Sequence, residues 1–182
     1  MSGKRQNWRS GMKPIQRGAL IGLSLLALGF LAPAVDAQAN KDGQVFNDWV
    51  VRCADDPSNQ ARGGCFIVQN VINNVDQKPV MQIAIGYLAE DPTPAAIFTL
   101  PLGVRLPPGA LIAIDDKEGV RIPFERCMPD GCKVQFRMNP EQVAAFKAGN
   151  GGKLTVQDAA GRGLAIPFSL KGFTAALNAL SS

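Results

Sequence analysis

Two cysteines bracket the stretch "CMPDGC", Cys127 to Cys132, and two more, Cys53 and Cys65, stand earlier in the chain with eleven residues between them. Thiols at such spacings offer a redox centre, a metal site or a pair of staples. A thioredoxin-type centre wants Cys-x-x-Cys at a helix N-terminus, where the dipole lowers a thiol pKa. Here the spacing is Cys-x₄-Cys around a Pro-Asp-Gly turn with strand-like flanks. A zinc site would take all four thiolates, yet the first spacing is not knuckle-like. Staples need only proximity. Joining Cys53 to Cys65 would restrict the unfolded chain by about 3 kcal/mol, and the smaller 127–132 ring by less. The sequence therefore predicts two structural disulfides from Cys53, Cys65, Cys127 and Cys132. Crossed pairings, 53 to 127 or 53 to 132, stay open.

The chain has no histidine. That removes Ser-His-Asp and Cys-His catalysis, histidine-ligated zinc and ordinary haem ligation. Carboxylate chemistry needs only two acids at the right separation. Its candidates are Asp55, Asp56, Asp115, Asp116, Glu118 and Glu125, mostly in turn-rich segments where acids are ordinary solvated turn-formers. Neither "DDPSN" nor "DDKEG" has the alternating oxygen ligands of an EF-hand loop. Ser169 and Lys171 do not match Ser-x-x-Lys, and Ser169 reads as a helix cap. "AGNGGK" follows a helix and leads into a strand, the reverse of a phosphate-cradling order. The expectation is a protein without catalytic residues, metal or cofactor.

The N-terminus bears on where the cysteines work. Residues 1–17 carry Lys4, Arg5, Arg9, Lys13 and Arg17 and no acid; "GALIGLSLLALGFLA" follows, then "PAVDAQAN". A basic region, a short apolar run and small residues form a secretory signal, with cuts after Ala37 or, preferred, Ala39. Three glycines, a serine and a terminal proline make the run weak as a spanning helix. Five of the 19 basic residues and one of the 15 acids lie before residue 40, so 14 of each remain. The basic excess belongs to the targeting segment, and nothing global favours nucleic acid. The reading is a signal at 1–39 and one disulfide-stapled β-rich domain at 40–182, exported to the periplasm, outer-membrane associated or surface exposed. After cleavage no transmembrane span is expected. An oxidising compartment agrees with paired cysteines.

Short apolar runs with Gly/Pro punctuation predict strands at 45–53, 65–73, 80–88, 96–104, 110–114, 120–126, 133–138, 153–158 and 163–168. Pro101 marks 96–104 as an edge, and "PPG" (107–109) reads as a type II turn. "NPEQVAAFKAGN" predicts a helix capped by Asn139, with Pro140 first, Gln142 completing a capping box and Gly149 past the end. A second helix starts near Ser169, with Phe173, Leu177 and Leu180 facing the core. The fold class is all-β, an antiparallel β-sandwich or barrel-like domain with two short helices, one at the C-terminus. One conflict stands out. Alternation puts Val120, Ile122 and Phe124 on a face with Val134, Phe136 and Met138, so opposite residues should have even-numbered sums. Cys127 and Cys132 break that parity, which predicts a bulge beside them or cysteines outside the ladder.

The pieces "FNDWVVRC", "GGCFIVQ", "LPLGVRLPPG", "RCMPDGCKVQF", "EQVAAFKAGNGGKLTV" and "FSLKGFTAAL", in that order, resemble the invasion-associated locus B family of exported bacterial proteins. The resemblance runs from about Phe46 to Leu177; Asn47 stands where glycine is expected before Asp-Trp. It implies a small cell-envelope protein with a β-sandwich-like fold and paired cysteines, and it carries no catalytic motif to transfer. The leading expectation is a binding protein whose partner is a protein in the envelope or on a host surface. The binding-face candidates are the "KVQFRM" edges and the loop between Cys53 and Cys65. The alternatives are a thiol-disulfide protein using Cys127 and Cys132, and a carboxylate hydrolase of envelope glycan.

Overall fold

Apolar residues at every second position place one face of the longer strands in a common core. The computed structural model describes residues 41–54, 61–88, 91–115 and 117–181. Among them eleven strands form two antiparallel sheets. The larger contains β1 (Val45–Phe46), β2 (Trp49–Cys53), β3 (Cys65–Ile72), β4 (Pro79–Tyr87), β5 (Pro94–Leu100), β8 (Arg126–Met128) and β9 (Gly131–Arg137), ordered β1-β2-β3-β4-β5-β9-β8. The smaller contains β6 (Ala110–Ile114), β7 (Val120–Ile122), β10 (Gly151–Gln157) and β11 (Gly163–Ser169), ordered β11-β10-β6-β7. This is the expected antiparallel β-sandwich with two helices, and it is not closed into a barrel. The expected signal segment, 1–39, lies outside the described residues.

The two sheets share one core. Trp49, Val51, Ile67, Ile83, Ile85 and Phe98 enter it from the larger sheet, and Ile112, Leu154, Val156 and Phe168 from the smaller. A row of aromatic rings crosses it, Trp49–Phe173–Phe146–Phe168–Phe98–Phe136, with neighbouring centroids 5.3–6.1 Å apart. Edge-on and tilted contacts at such distances add to the area each ring buries. Helix α1 (Pro140–Ala148) supplies Phe146, and helix α2 (Phe173–Ala179) supplies Phe173, Ala176 and Leu177. The predicted capping box is present in full: Gln142 N–H donates to Asn139 Oδ1 at 2.8 Å, and Asn139 N–H to Gln142 Oε1 at 2.9 Å.

Several expectations need correction. The run 45–53 is a hairpin, because Asn47 takes a left-handed φ of 51° and turns the chain between β1 and β2. β5 is interior, between β4 and β9; Pro101 lies just past its end and terminates it. The Pro-Pro-Gly turn closes one residue earlier than expected, Gly109 N–H donating to Leu106 C=O at 2.9 Å. Gly149 is not left-handed (φ −76°); it is small because a Cβ there would meet Ile114 at 2.6 Å and Leu170 at 2.9 Å. Helix α2 begins at Phe173, and Ser169 is not its cap. Gly172 holds that position at φ +87°, with Phe46 C=O where a Cβ would sit. Ser169 Oγ instead accepts from Lys171 N–H at 3.1 Å, a local turn.

The parity conflict has a different resolution from either one expected. β7 pairs with β6 in the smaller sheet, and the chain changes sheets across residues 123–125 before β8 pairs with β9. The two runs assumed to share a ladder do not. Cys127 therefore sits directly opposite Cys132 in register, neither bulged nor outside the ladder.

Where β11 ends, a side chain takes over from a strand. Gln69, the buried polar residue of the described core, donates from Nε2 to Ser169 C=O at 2.9 Å and accepts from Ser169 N–H at Oε1 at 3.0 Å. Trp49 Nε1 donates to the same carbonyl at 3.2 Å. Gln69→Leu keeps the bulk but leaves the Ser169 N–H unpaired and its C=O with the Trp49 bond alone. Urea unfolding of this variant is expected to show a loss of about 1–3 kcal/mol, the cost of one buried unsatisfied group.

Candidate functional site

From the Gln69–Ser169 clasp the two sheets part toward the β3–β4 hairpin, and a groove of about 500 Å³ opens between them. One wall is β11, with Leu164 and Ile166; the other is the end of β3, with Val71 and Ile72. The connection between β5 and β6 forms the end, through Leu102 and Val104. Ile166 is buried, while Ile72, Leu102 and Leu164 are exposed. Val75 stands 92% exposed at the hairpin tip, Leu102 59% and Leu164 47%. Asp158 Oδ1 accepts from Arg162 N–H, closing the β10–β11 turn beside the groove at 2.9 Å. That hydrogen bond and the Arg162 guanidinium hold the Asp158 carboxyl below its ordinary range. A polar cleft lined by Asp48, Asn70, Asn74 and Asn150 continues along the same strand edge to Ser169.

Both disulfides lie elsewhere and close between directly opposite residues of neighbouring strands: Cys53–Cys65 across β2 and β3, and Cys127–Cys132 across β8 and β9. The crossed pairings are not adopted. The Cα atoms of the two bonded pairs are 4.0 and 3.9 Å apart. Cys127 is exposed on an edge strand while Cys132 is buried.

Among the described residues the candidate acids Asp115, Glu118 and Glu125 have separate partners and surroundings. Asp115 Oδ1 accepts from the backbone N–H groups of Asn150 and Gly151, both at 3.1 Å, and so ties the β6 end to the start of β10. Glu125 pairs with its neighbour Arg126. Glu118 lines a smaller apolar groove of about 290 Å³ against α1, with Glu141. Asp55, Asp56 and Asp116 lie outside the described residues. Among the described residues three aspartates are shifted, and all downward: Asp91 by hydrogen bonds from Thr93, then by Arg137; Asp130 by Lys133; and Asp158 by Arg162. That is the direction of a carboxylate that accepts bonds, opposite to a general acid held protonated. Among the described residues no three Cys, Asp or Glu side chains cluster as metal ligands. No helix of the described residues is long and apolar enough to cross a membrane.

Of the binding faces expected from sequence, "KVQFRM" starts within β9, which pairs with β8 only as far as Lys133; beyond it Val134–Arg137 have β5 on one side and no strand partner on the other among the described residues. Residues 55–60 of the Cys53–Cys65 loop lie outside the described residues. The groove itself had one legible signal, the aliphatic Leu102 set between a proline and a glycine where a loop should be polar.

A family model described as invasion associated locus B (IalB) protein matches residues 49–181. The chain belongs to this family. Both disulfides, Gln69 and the groove fall within the matched span. The IalB-family chain is 27% identical over 160 residues to the invasion protein B homologue of Brucella abortus strain 2308, covering 87% of this chain and 90% of the relative. The homologue of Brucella abortus biovar 1 strain 9-941 matches to the same extent. The crystal structure of invasion associated protein b from Bartonella henselae superposes with a TM-score of 0.66 at 24% identity, covering 76% of this chain and 94% of that one. At that identity the likeness speaks for the fold.

The two staples differ in the loop they close, with sequence separations of 12 and 5. The Cys53→Ser/Cys65→Ser pair is expected to cost about 3 kcal/mol in urea unfolding, and the Cys127→Ser/Cys132→Ser pair about 2, on loop entropy alone.

Proposed function

We propose that residues 1–39 direct export and are removed, and that the IalB domain works beyond the inner membrane as a non-catalytic binding protein. The observation that carries this reading is the groove: an apolar concavity of about 500 Å³ with Leu102 and Leu164 exposed at its rim. Exposed aliphatics gathered round a concave surface are the usual mark of a binding site. The relatives are named for invasion, and we extend that to this chain as contact with a host cell or with an envelope protein serving it.

A photo-crosslinking residue at Leu102, in the groove, and another at Gln135, on β9 outside it, test this in living cells. The first is expected to trap one discrete protein and the second nothing in common with it. Equal, diffuse labelling from both positions would end the binding reading. The exported protein is expected to begin at Asn40, which N-terminal sequencing checks.

A second reading rests on the exposure of Cys127, which an attacking thiolate can reach from the sheet edge. Thiol trapping in intact cells separates it from a staple. A large reduced fraction at Cys127 and Cys132, with Cys53 and Cys65 fully oxidised, is the outcome that would favour exchange chemistry.

A further inference from the structure

The groove is flanked by two strand edges as well as by apolar side chains. β2 pairs with β3 only as far as Val68, so beyond it Asn70 and Ile72 have no strand partner on that side among the described residues. β11 is the outermost strand of its sheet, and at seven residues it is the longest of the four outermost strands. In an antiparallel ladder, backbone groups point alternately to one neighbour and the other. Leu170 N–H bonds to Asn150 C=O, whereas both Ser169 groups bond to Gln69. Even-numbered residues of β11 therefore face β10, and odd-numbered ones face the groove. By the same alternation, Ala54 N–H to Gly64 C=O sets the even-numbered residues of β3 on the groove side. The open edge of β11 thus presents N–H and C=O of Gly163 and Ala165 and the C=O of Pro167. The apolar walls, Leu164 and Ile72, lie beside it.

We propose that this groove is a strand-addition site, which takes an extended peptide segment of a partner protein as a new edge strand beside β11. The inference rests on the binding reading above and names the chemistry of the partner. The complementarity is one of partial charge: a row of alternating N–H and C=O groups is matched by another extended backbone. Alternate side chains of the incoming strand point between the sheets, where the groove takes aliphatic residues. The partner segment is therefore extended, apolar at every second position and free of proline where it meets Ala165. A second copy of this chain fits less well. In a two-fold pair centred on Ala165, each Gly163 C=O would meet Pro167, which has no N–H to give.

The probe is a fluorescent synthetic octapeptide, Lys-Thr-Val-Thr-Leu-Thr-Val-Lys, capped at both ends, with an analogue N-methylated at alternate residues. Binding to the disulfide-bonded protein is followed by fluorescence anisotropy. Ala165→Pro removes an N–H that faces the groove and none that faces β10, so the fold should keep its thermal midpoint. It is expected to weaken the octapeptide at least roughly tenfold, the worth of a strong hydrogen bond. Leu164→Asp, which alters the wall and not the edge, should weaken it as well, and the N-methylated analogue should not bind. The proposal is overturned if the octapeptide does not bind, if Ala165→Pro binds it as tightly as the parent, or if the N-methylated analogue binds equally. Sedimentation as a dimer that Ala165→Pro dissociates would give the edge to a second copy and also overturn it. Retention of the Leu102 crosslinked partner by Ala165→Pro would sink strand addition alone and leave the binding reading standing. Loss of discrete crosslinking from the parent would sink both.

Discussion

The bonds between Gln69 and Ser169 decide how the two sheets meet. A strand that ends inside a core leaves an N–H and a C=O with nothing to pair with, and an unpaired buried backbone group is rarely tolerated. Glutamine carries one donor face and one acceptor on a planar amide, so it can copy the two bonds that a neighbouring strand would give. With those satisfied, the chain leaves β11, turns at Gly172 against Phe46, and lays α2 over the larger sheet. On one side of this point lies the dry aromatic core from Trp49 to Phe136. On the other side no such amide bridges the sheets among the described residues, and they separate into a groove.

Sheet edges are where such a fold meets its surroundings. β1, β7 and β8 are two or three residues long, too short to template much pairing. β11 is different: it is long, its outward side chains Gly163 and Ala165 are small and uncharged, and Pro167 alone interrupts its row of donors. A protein guarding only against aggregation gains little from leaving that edge beside a hydrophobic groove.

Most of the fold was legible from the residues because strand alternation and helix capping are local. The N-cap of α1 needed only the positions of Asn139, Pro140 and Gln142, and the inward faces of β4 and β9 followed from period two. What misled was partner choice. Val120 to Arg126 reads as one strand, yet its halves lie in different sheets, because nothing in a seven-residue pattern states which neighbour will supply its hydrogen bonds. Pro101 read as the mark of an edge strand running on to 104, whereas it ends an interior strand at Leu100. The groove was least legible of all: it is built from the ends of strands distant in sequence, and Gln69 looked like any polar residue on a strand. The family model then supplied membership, which the molecule's own residues had suggested through order and spacing.

Each cystine joins neighbours along the chain, the first cysteine to the second and the third to the fourth. That ordering has a consequence for how the molecule is made. A chain threaded N-terminus first into an oxidising space presents Cys53 and Cys65 before Cys127 and Cys132. If each pair is oxidised as it emerges, the native connectivity results by default. No shuffling catalyst is then needed to reach it, and a general oxidant suffices.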